Sequence, residues 1–200
     1  MLVGSTLLSL LVSAYVYDWS NLYRLDWLAD TAAPINLVSI NAGFDETSHL
    51  LAAKFNAASL TVLDFYDLAR HTEVSIKRAR RVYPAYPGTQ RVVTSALPVA
   101  SNSADKVFSM LAAHEIRDEA ERTAFFQEVA RILKPDGQII IVEHLRDQAN
   151  FLAYNIGFFH FHSRSIWLRA FSSAGLSLRQ ELKITPFVTA FIVGKDGIPA

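Results

Sequence analysis

The chain, 200 residues long, predicts an α/β fold on a mostly parallel sheet with an antiparallel terminal strand. Three observations predict it. From Pro34 onward, short apolar runs alternate with amphipathic stretches, the order that strand–helix crossovers need. Gln138 to Glu143 carries Ile139-Ile140-Ile141-Val142 at its centre, a continuous apolar run suited to a strand buried on both faces. Leu176–Leu182 and Phe187–Val193 read as a closing antiparallel pair.

The elements follow in order. Residues 35–40 form a short strand, and Glu46–Asn56 a helix with Leu50, Leu51 and Phe55 inward. Leu60 to Leu63 is the next strand, closing on Asp64. A helix with a basic face follows, carrying Lys77, Arg78, Arg80 and Arg81, and Tyr83–Gly88 is a loop. Val92-Val93 is a third strand and Asp105–Met110 a fourth. Asp118–Leu133 is a helix with Asp118, Glu119 and Glu121 in its first turn, where the helix dipole favours acid. It stops at a turn, Lys134-Pro135-Asp136-Gly137, before the buried strand. Ile166–Ala174 is the last helix, ended by Gly175.

Composition narrows the function. Formal net charge is zero, so nothing global draws the chain to nucleic acid, which is not expected as a partner. There is no cysteine, which excludes disulfides, thiolate zinc sites and cysteine nucleophiles and fits a reducing compartment. A mean hydropathy of +0.20 with 19% charged residues is apolar for a soluble domain.

Part of that excess lies at the N-terminus. Residues 1–17 carry no charge and 12 of them are apolar. As one helix they would reach about 26 Å, against a hydrocarbon core of roughly 30 Å. Tyr15, Tyr17, Trp19, Tyr23 and Trp27 follow, suited to the headgroup region. Ser5, Ser9 and Ser13 share one stripe, the small-residue spacing of helices that pack closely in lipid. Residues 1–30 are therefore expected to be a membrane-associated or transmembrane helix with an aromatic flank, and residues 31–200 the globular domain. The alternatives are a helix packed on the domain's core and a signal peptide, the latter poorly matched because no basic segment precedes the apolar run.

A longer pattern is more specific. Ala96-Leu97-Pro98 is followed by Asp105-Lys106-Val107-Phe108 and by Leu111-Ala112-Ala113-His114-Glu115-Ile116. Then comes Phe126-Gln127-Glu128-Val129-Ala130-Arg131-Ile132-Leu133-Lys134-Pro135-Asp136-Gly137, leading into the buried strand. From Ile35 to Lys195 this order resembles the class I S-adenosylmethionine-dependent methyltransferases, about four-fifths of the chain. The resemblance implies a Rossmann-like methyltransferase fold preceded by the N-terminal apolar helix, and S-adenosylmethionine as cofactor. It places Asn41, Ala42 and Gly43 in the loop that holds the cofactor's amino-acid end. It places Asp64 where ribose hydroxyls are bound, and Thr94 and Ser95 beside the adenine. The chain departs from the pattern in that loop. Ser39 stands where an acid is usual, Asn41 and Asp45 replace the first and third glycines, and Phe44 adds bulk. Without a cofactor, Asp64 would simply cap backbone amides in a turn.

His114, Glu115, Glu143, His144, His160 and His162 suggest further chemistry. No ligand-spaced motif sits on a helix or strand, so no metal is expected and the histidines read mainly as capping and core residues. His114 and His144 are the candidates for a base acting on a methyl acceptor. Asn150–Trp167 is rich in aromatics, fit for a lid over an apolar substrate, a membrane contact or a partner surface.

Two functions follow. One is a membrane-associated methyltransferase acting on an apolar acceptor such as a quinone, lipid or pigment precursor. The other is an inactive, methyltransferase-like accessory or scaffold subunit of a larger membrane complex, respiratory or photosynthetic. The expected partners are membrane lipid and membrane proteins, met through residues 1–30 and 150–167, with the globular domain on the cytoplasmic side.

Overall fold

The computed structural model describes residues 2–29, 34–70, 78, 80 and 82–197. Helix α1, Leu2–Ala14, runs into a wider helical turn, Tyr15–Trp19. Then come β1 (Asn36–Asn41), α2 (Ser48–Lys54), β2 (Ser59–Asp64), β3 (Gln90–Arg91) and β4 (Ala104–Met110). After them come α3 (Glu119–Ile132), β5 (Leu133–His144), α4 (Gln148–Tyr154), α5 (Arg164–Ser173), β6 (Leu176–Lys183) and β7 (Val188–Lys195). The sheet order is β3-β2-β1-β4-β5-β7-β6, with β1 to β5 parallel and β7 antiparallel to both neighbours. The chain reverses its direction of travel across the sheet between β1 and β4. That opens a crevice at their carboxyl ends, where open α/β sheets bind ligands.

The pleat divides the apolar residues between two cores. On one face, Val38, Ile40, Ile139 and Ile141 pack with Phe125, Phe126, Trp167 and Phe171 from α3 and α5. On the other, Leu37, Phe108, Ile140 and Val142 meet Leu51, Phe55, Val12, Val16, Leu22 and Leu25. Strand β5 feeds both in strict alternation, which explains its unbroken apolar run. Helix α3 starts at Asp118, whose side chain accepts the N–H of Glu121.

The N-terminal segment therefore covers one face of the sheet. Each of Val16, Leu22 and Leu25 is almost fully buried, and removing such a side chain from water stabilises by about 1.5–3 kcal/mol. The serine stripe serves this packing: Ser9 Oγ donates to the Ala153 carbonyl of α4 at 2.6 Å. Helix α1 has 13 residues, and among the described residues no helix is long and apolar enough to cross a membrane. The transmembrane expectation thus finds no support. The apolar run is split between a core-facing side and a solvent-facing side.

Three local expectations change. The third strand is Gln90–Arg91, and Val93 beyond it is exposed, in a turn bridged to Ala96. Lys134–Gly137 does not separate α3 from the strand. Leu133 already pairs with Ala104, and the next pair is Lys106 with Gln138, so the turn is a bulge inside β5. Of the basic helix, Lys77 and Arg81 lie outside the described residues, while Arg78 is exposed and Arg80 turns inward.

Candidate active site

At the end of β1 the chain turns sharply. Asn41 is buried, and its Oδ1 accepts the N–H of Gly43 at 2.9 Å. Gly43 has φ +91°, a conformation open to glycine at little cost. A Cβ there would also strike Arg80 and Tyr66, so the glycine serves contacts within the chain. Asp45 Oδ1 accepts the N–H groups of Thr47 and Ser48 just ahead of α2. Two polar atoms around this loop are buried without a hydrogen-bond partner among the described residues: Asn41 Nδ2 and Asp45 Oδ2. One is a donor and the other an acceptor, as a zwitterionic amino-acid end requires. Orphans of this kind invite a ligand.

Asp64 ends β2 as expected and is buried. Its Oδ1 accepts the Tyr66 N–H at 2.9 Å, and its Oδ2 is held by Arg80 Nη1 at 2.7 Å. The same Nη1 donates to the Gly43 carbonyl at 3.1 Å, and the guanidinium lies 4.8 Å from the centre of the Tyr66 ring. Arg80 thus ties the two expected cofactor elements together. Thr94 Oγ1 donates to Glu121 at 2.7 Å, and Ser95 is exposed in the turn after it. A cavity of about 520 Å³ opens on this side, lined by Tyr66, Asp67, Leu68, Arg80 and Arg91–Val93.

A second cavity, of about 350 Å³, lies at the carboxyl ends of β4 and β5. Ala42 and Phe44 of the first loop line it, with Met110, Tyr17, Tyr154 and Phe161 as walls and Glu46, His114, Glu115, His144 and His160 as its polar groups. Leu111, another lining residue, has φ +51°, costly backbone for a leucine of the sort found near functional sites.

The histidines are held in different ways. His114 Nδ1 lies 2.7 Å from Glu143 Oε2, and the His114 backbone N–H donates to Oε1 of the same carboxylate. Burial alone would push His114 down, but Glu143 and Glu115 more than offset it and bring the imidazole up to about 9. A ring charged at neutral pH donates rather than accepts a proton, so His114 is poorly set up as a base in this state. Glu115, buried yet facing His114 and His160, is held well below the usual carboxylate range.

His144 points Nδ1 at the Phe187 carbonyl, 2.9 Å away, so that nitrogen carries the hydrogen. Its Nε2 then accepts from Tyr17 Oη at 3.0 Å, and burial pushes its pKa down. His162, near Arg122, is lowered to about 3 by burial and neighbouring positive charge, and is a neutral core residue. Among the described residues, one group could hold a metal: His114, Glu115 and His160.

The sheet order, the crevice and the loop after β1 now stand together. Residues 39–141, just over half of the chain, match the family model described as a methyltransferase domain. The chain belongs to this methyltransferase family.

This methyltransferase domain is similar in structure to a SAM-dependent methyltransferase from Aquifex aeolicus, with 12% identity and a TM-score of 0.59 over 80% of this chain and 81% of the other. A second similar structure is the putative methyltransferase bound to the Haloferax volcanii Trm112 activator, at 16% identity and a TM-score of 0.63 over 91% and 92%. A third is geranyl diphosphate C-methyltransferase from Streptomyces coelicolor A3(2), in complex with Mg2+, geranyl diphosphate and S-adenosyl-L-homocysteine; it shares 13% identity and a TM-score of 0.56 over 84% and 74%. At these identities the likeness carries the fold. No curated protein matches the chain.

Within the methyltransferase domain the structure brings Asn41, Ala42, Gly43 and Asp64 to one edge, as the sequence predicts. It turns Thr94 toward Glu121 instead. Arg80 is the residue that sequence reasoning placed on a basic surface face. Its partners, Gly43 and Asp64, lie 37 and 16 positions away, beyond the reach of any local pattern.

Proposed function

We propose that this methyltransferase domain binds S-adenosylmethionine along the β1–β2 edge and transfers its methyl group to an apolar acceptor in the cavity over β4 and β5. The observation that carries this reading is the continuity of the site. Ala42 and Phe44 belong both to the loop with two orphaned polar atoms and to the wall of the cavity over β4 and β5. A cofactor at the first would face an acceptor in the second.

The residues fit the cofactor in part. Asn41 Nδ2 and Asp45 Oδ2 would take its carboxylate and amino group, and Asp64 its ribose hydroxyls once Arg80 gives up Oδ2. Bound S-adenosylmethionine supplies a methyl group on a positively charged sulfur, ready for displacement. The chain's own task is then alignment and exclusion of water, which Phe44, Tyr17, Tyr154 and Phe161 provide as cavity walls.

An apolar acceptor would be reached at a membrane surface. Outside the cavity, α1 and the α4 region leave large apolar side chains in solvent: Leu10 is 62% exposed, Leu11 60% and Ile156 82%. An interfacial helix that buries such residues among headgroups needs no span.

Calorimetric titration with S-adenosylmethionine tests the first part. Binding tighter than about 100 µM, some 5.5 kcal/mol, supports it. No heat at millimolar ligand overturns it in favour of the second reading, a methyltransferase-like scaffold, which the Arg80–Asp64 pair favours. Cosedimentation with anionic liposomes tests the surface: the exposed pair Leu10→Glu and Leu11→Glu should release the protein without lowering its melting temperature. Unchanged partition overturns that part.

A further inference from the structure

We propose that His114, Glu115 and His160 form a binding site for a divalent transition metal, with its open position facing the cavity. His114 Nε2 lies 3.3 Å from Glu115 Oε1, and His160 Nε2 lies 3.4 Å from the same oxygen. Ligands about 2.0–2.1 Å from a tetrahedral zinc stand about 3.3–3.4 Å from one another. Two edges of such a polyhedron are therefore already in place, and all three donor atoms lie within 4.8 Å of one another.

The surroundings are those of a held ligand set. Glu143, itself fully buried, fixes His114 through Nδ1 at 2.7 Å and leaves Nε2 as the nitrogen that faces Glu115. A carboxylate on the far nitrogen of a ligating histidine sets its tautomer and direction in metal sites. Two imidazoles with one carboxylate, and no thiolate, form a donor set used by zinc and by iron(II) where a coordination position stays open. All three ligands line the cavity of about 350 Å³, so an oxygen donor, water or a hydroxyl of the acceptor, can take the remaining place. The choice of an acceptor hydroxyl rests on the function proposed above; the metal site does not.

Metal entry must displace the proton that His114 carries and must move Arg117. Its Nη2 stands 2.6 Å from Nδ1 and 2.7 Å from Nε2 of His160, while its Nη1 donates to the His160 carbonyl. The side chain is exposed. Its positive charge opposes the ion and sets a limit on affinity.

The test uses the full chain, freed of metal with a chelator and containing no S-adenosylmethionine. Zn2+ is titrated by calorimetry, and Co2+ is added as an optical probe. One equivalent of zinc with a micromolar or tighter Kd, and the visible bands of four- or five-coordinate cobalt, are expected. Glu115→Gln should weaken zinc by about a hundredfold and Glu143→Gln by about tenfold, the latter as an orienting residue outside the ligand set. Arg117→Ala should tighten it. Melting temperatures of the variants separate lost metal from lost fold, and His160→Gln, which removes a ligand near the surface, gives a second route. Absence of zinc heat, a six-coordinate aquo cobalt spectrum, or unchanged affinity in both Glu115→Gln and His160→Gln overturns the site. None of these readouts depends on methyl transfer, so they fail or succeed independently of the proposed activity.

Discussion

The two halves of the sheet's carboxyl edge are built differently. On the β1–β2 half, Asp64 and Gly43 stand at neighbouring strand ends and the chain itself engages both: Arg80 bonds Asp64 and the Gly43 carbonyl. On the β4–β5 half, the polar groups hold one another around an open cavity: Glu143 fixes His114, and Glu115 faces His114 and His160. The first half is a shelf whose carboxylate is held by an internal cation. The second is a preformed polar pocket in apolar walls. A binding edge can thus keep its architecture while its electrostatics are reassigned, because backbone positions follow from the sheet and charge partners follow from single side chains.

The largest expected effect would break the comparison outright. Asp64→Ala should abolish S-adenosylmethionine binding, a loss of a hundredfold or more, equal to about 2.7 kcal/mol, measured by calorimetry. Survival of binding would show that the β2 carboxylate is not the ribose anchor and that the two halves do not divide the work as drawn. Next is Gly43→Ala. With φ +91° and a Cβ that would meet Tyr66, it should destabilise by about 1–3 kcal/mol in urea unfolding, and a neutral result would deny the tight packing of the shelf.

Arg80→Gln sharpens the same point from the other side. If the guanidinium blocks Asp64, its removal should raise S-adenosylmethionine affinity about tenfold, or about 1.4 kcal/mol. Weaker binding in this variant would make Arg80 a ligand-holding residue instead. The smallest effect is Ser9→Ala, which loses the bond to the Ala153 carbonyl and should cost about 1 kcal/mol of stability by chemical denaturation. An unchanged midpoint would mean that α1 is held on the sheet by its apolar contacts alone.

Much of the fold is legible in the chain because its signals are local. The alternating apolar runs, the acid-rich start of α3 and Gly175 after α5 each act over a few residues. The β4-to-β5 stretch identifies the family for the same reason, since the strand ends that position the site are written into contiguous segments. The carboxylate at Asp64 and the turn at Gly43 could be placed from strand boundaries alone.

What the pattern did not reveal has a common physical cause. A short strand such as Gln90–Arg91 has no periodicity, and its apolar neighbours Val92 and Val93 attracted the assignment. Seventeen uncharged residues read alike whether they face lipid or a sheet. Only the packing of Val12 and Val16 in one core with Leu37, Phe108 and Ile140, and of Ser9 on Ala153, decided that α1 covers the domain's own core. The two charge clusters depend still more on folding, since Arg80 meets Asp64 and Glu143 meets His114 across separate elements.

By itself, then, the sequence determined the α/β class, most of the strands and the family, because backbone propensity and hydrophobic period are properties of neighbouring residues. The tertiary structure alone decided which charges face each other at the strand ends. A salt bridge or ligand set is set by distance in space, and 29 residues separate His114 from Glu143 along the chain while 2.7 Å separates them in the fold.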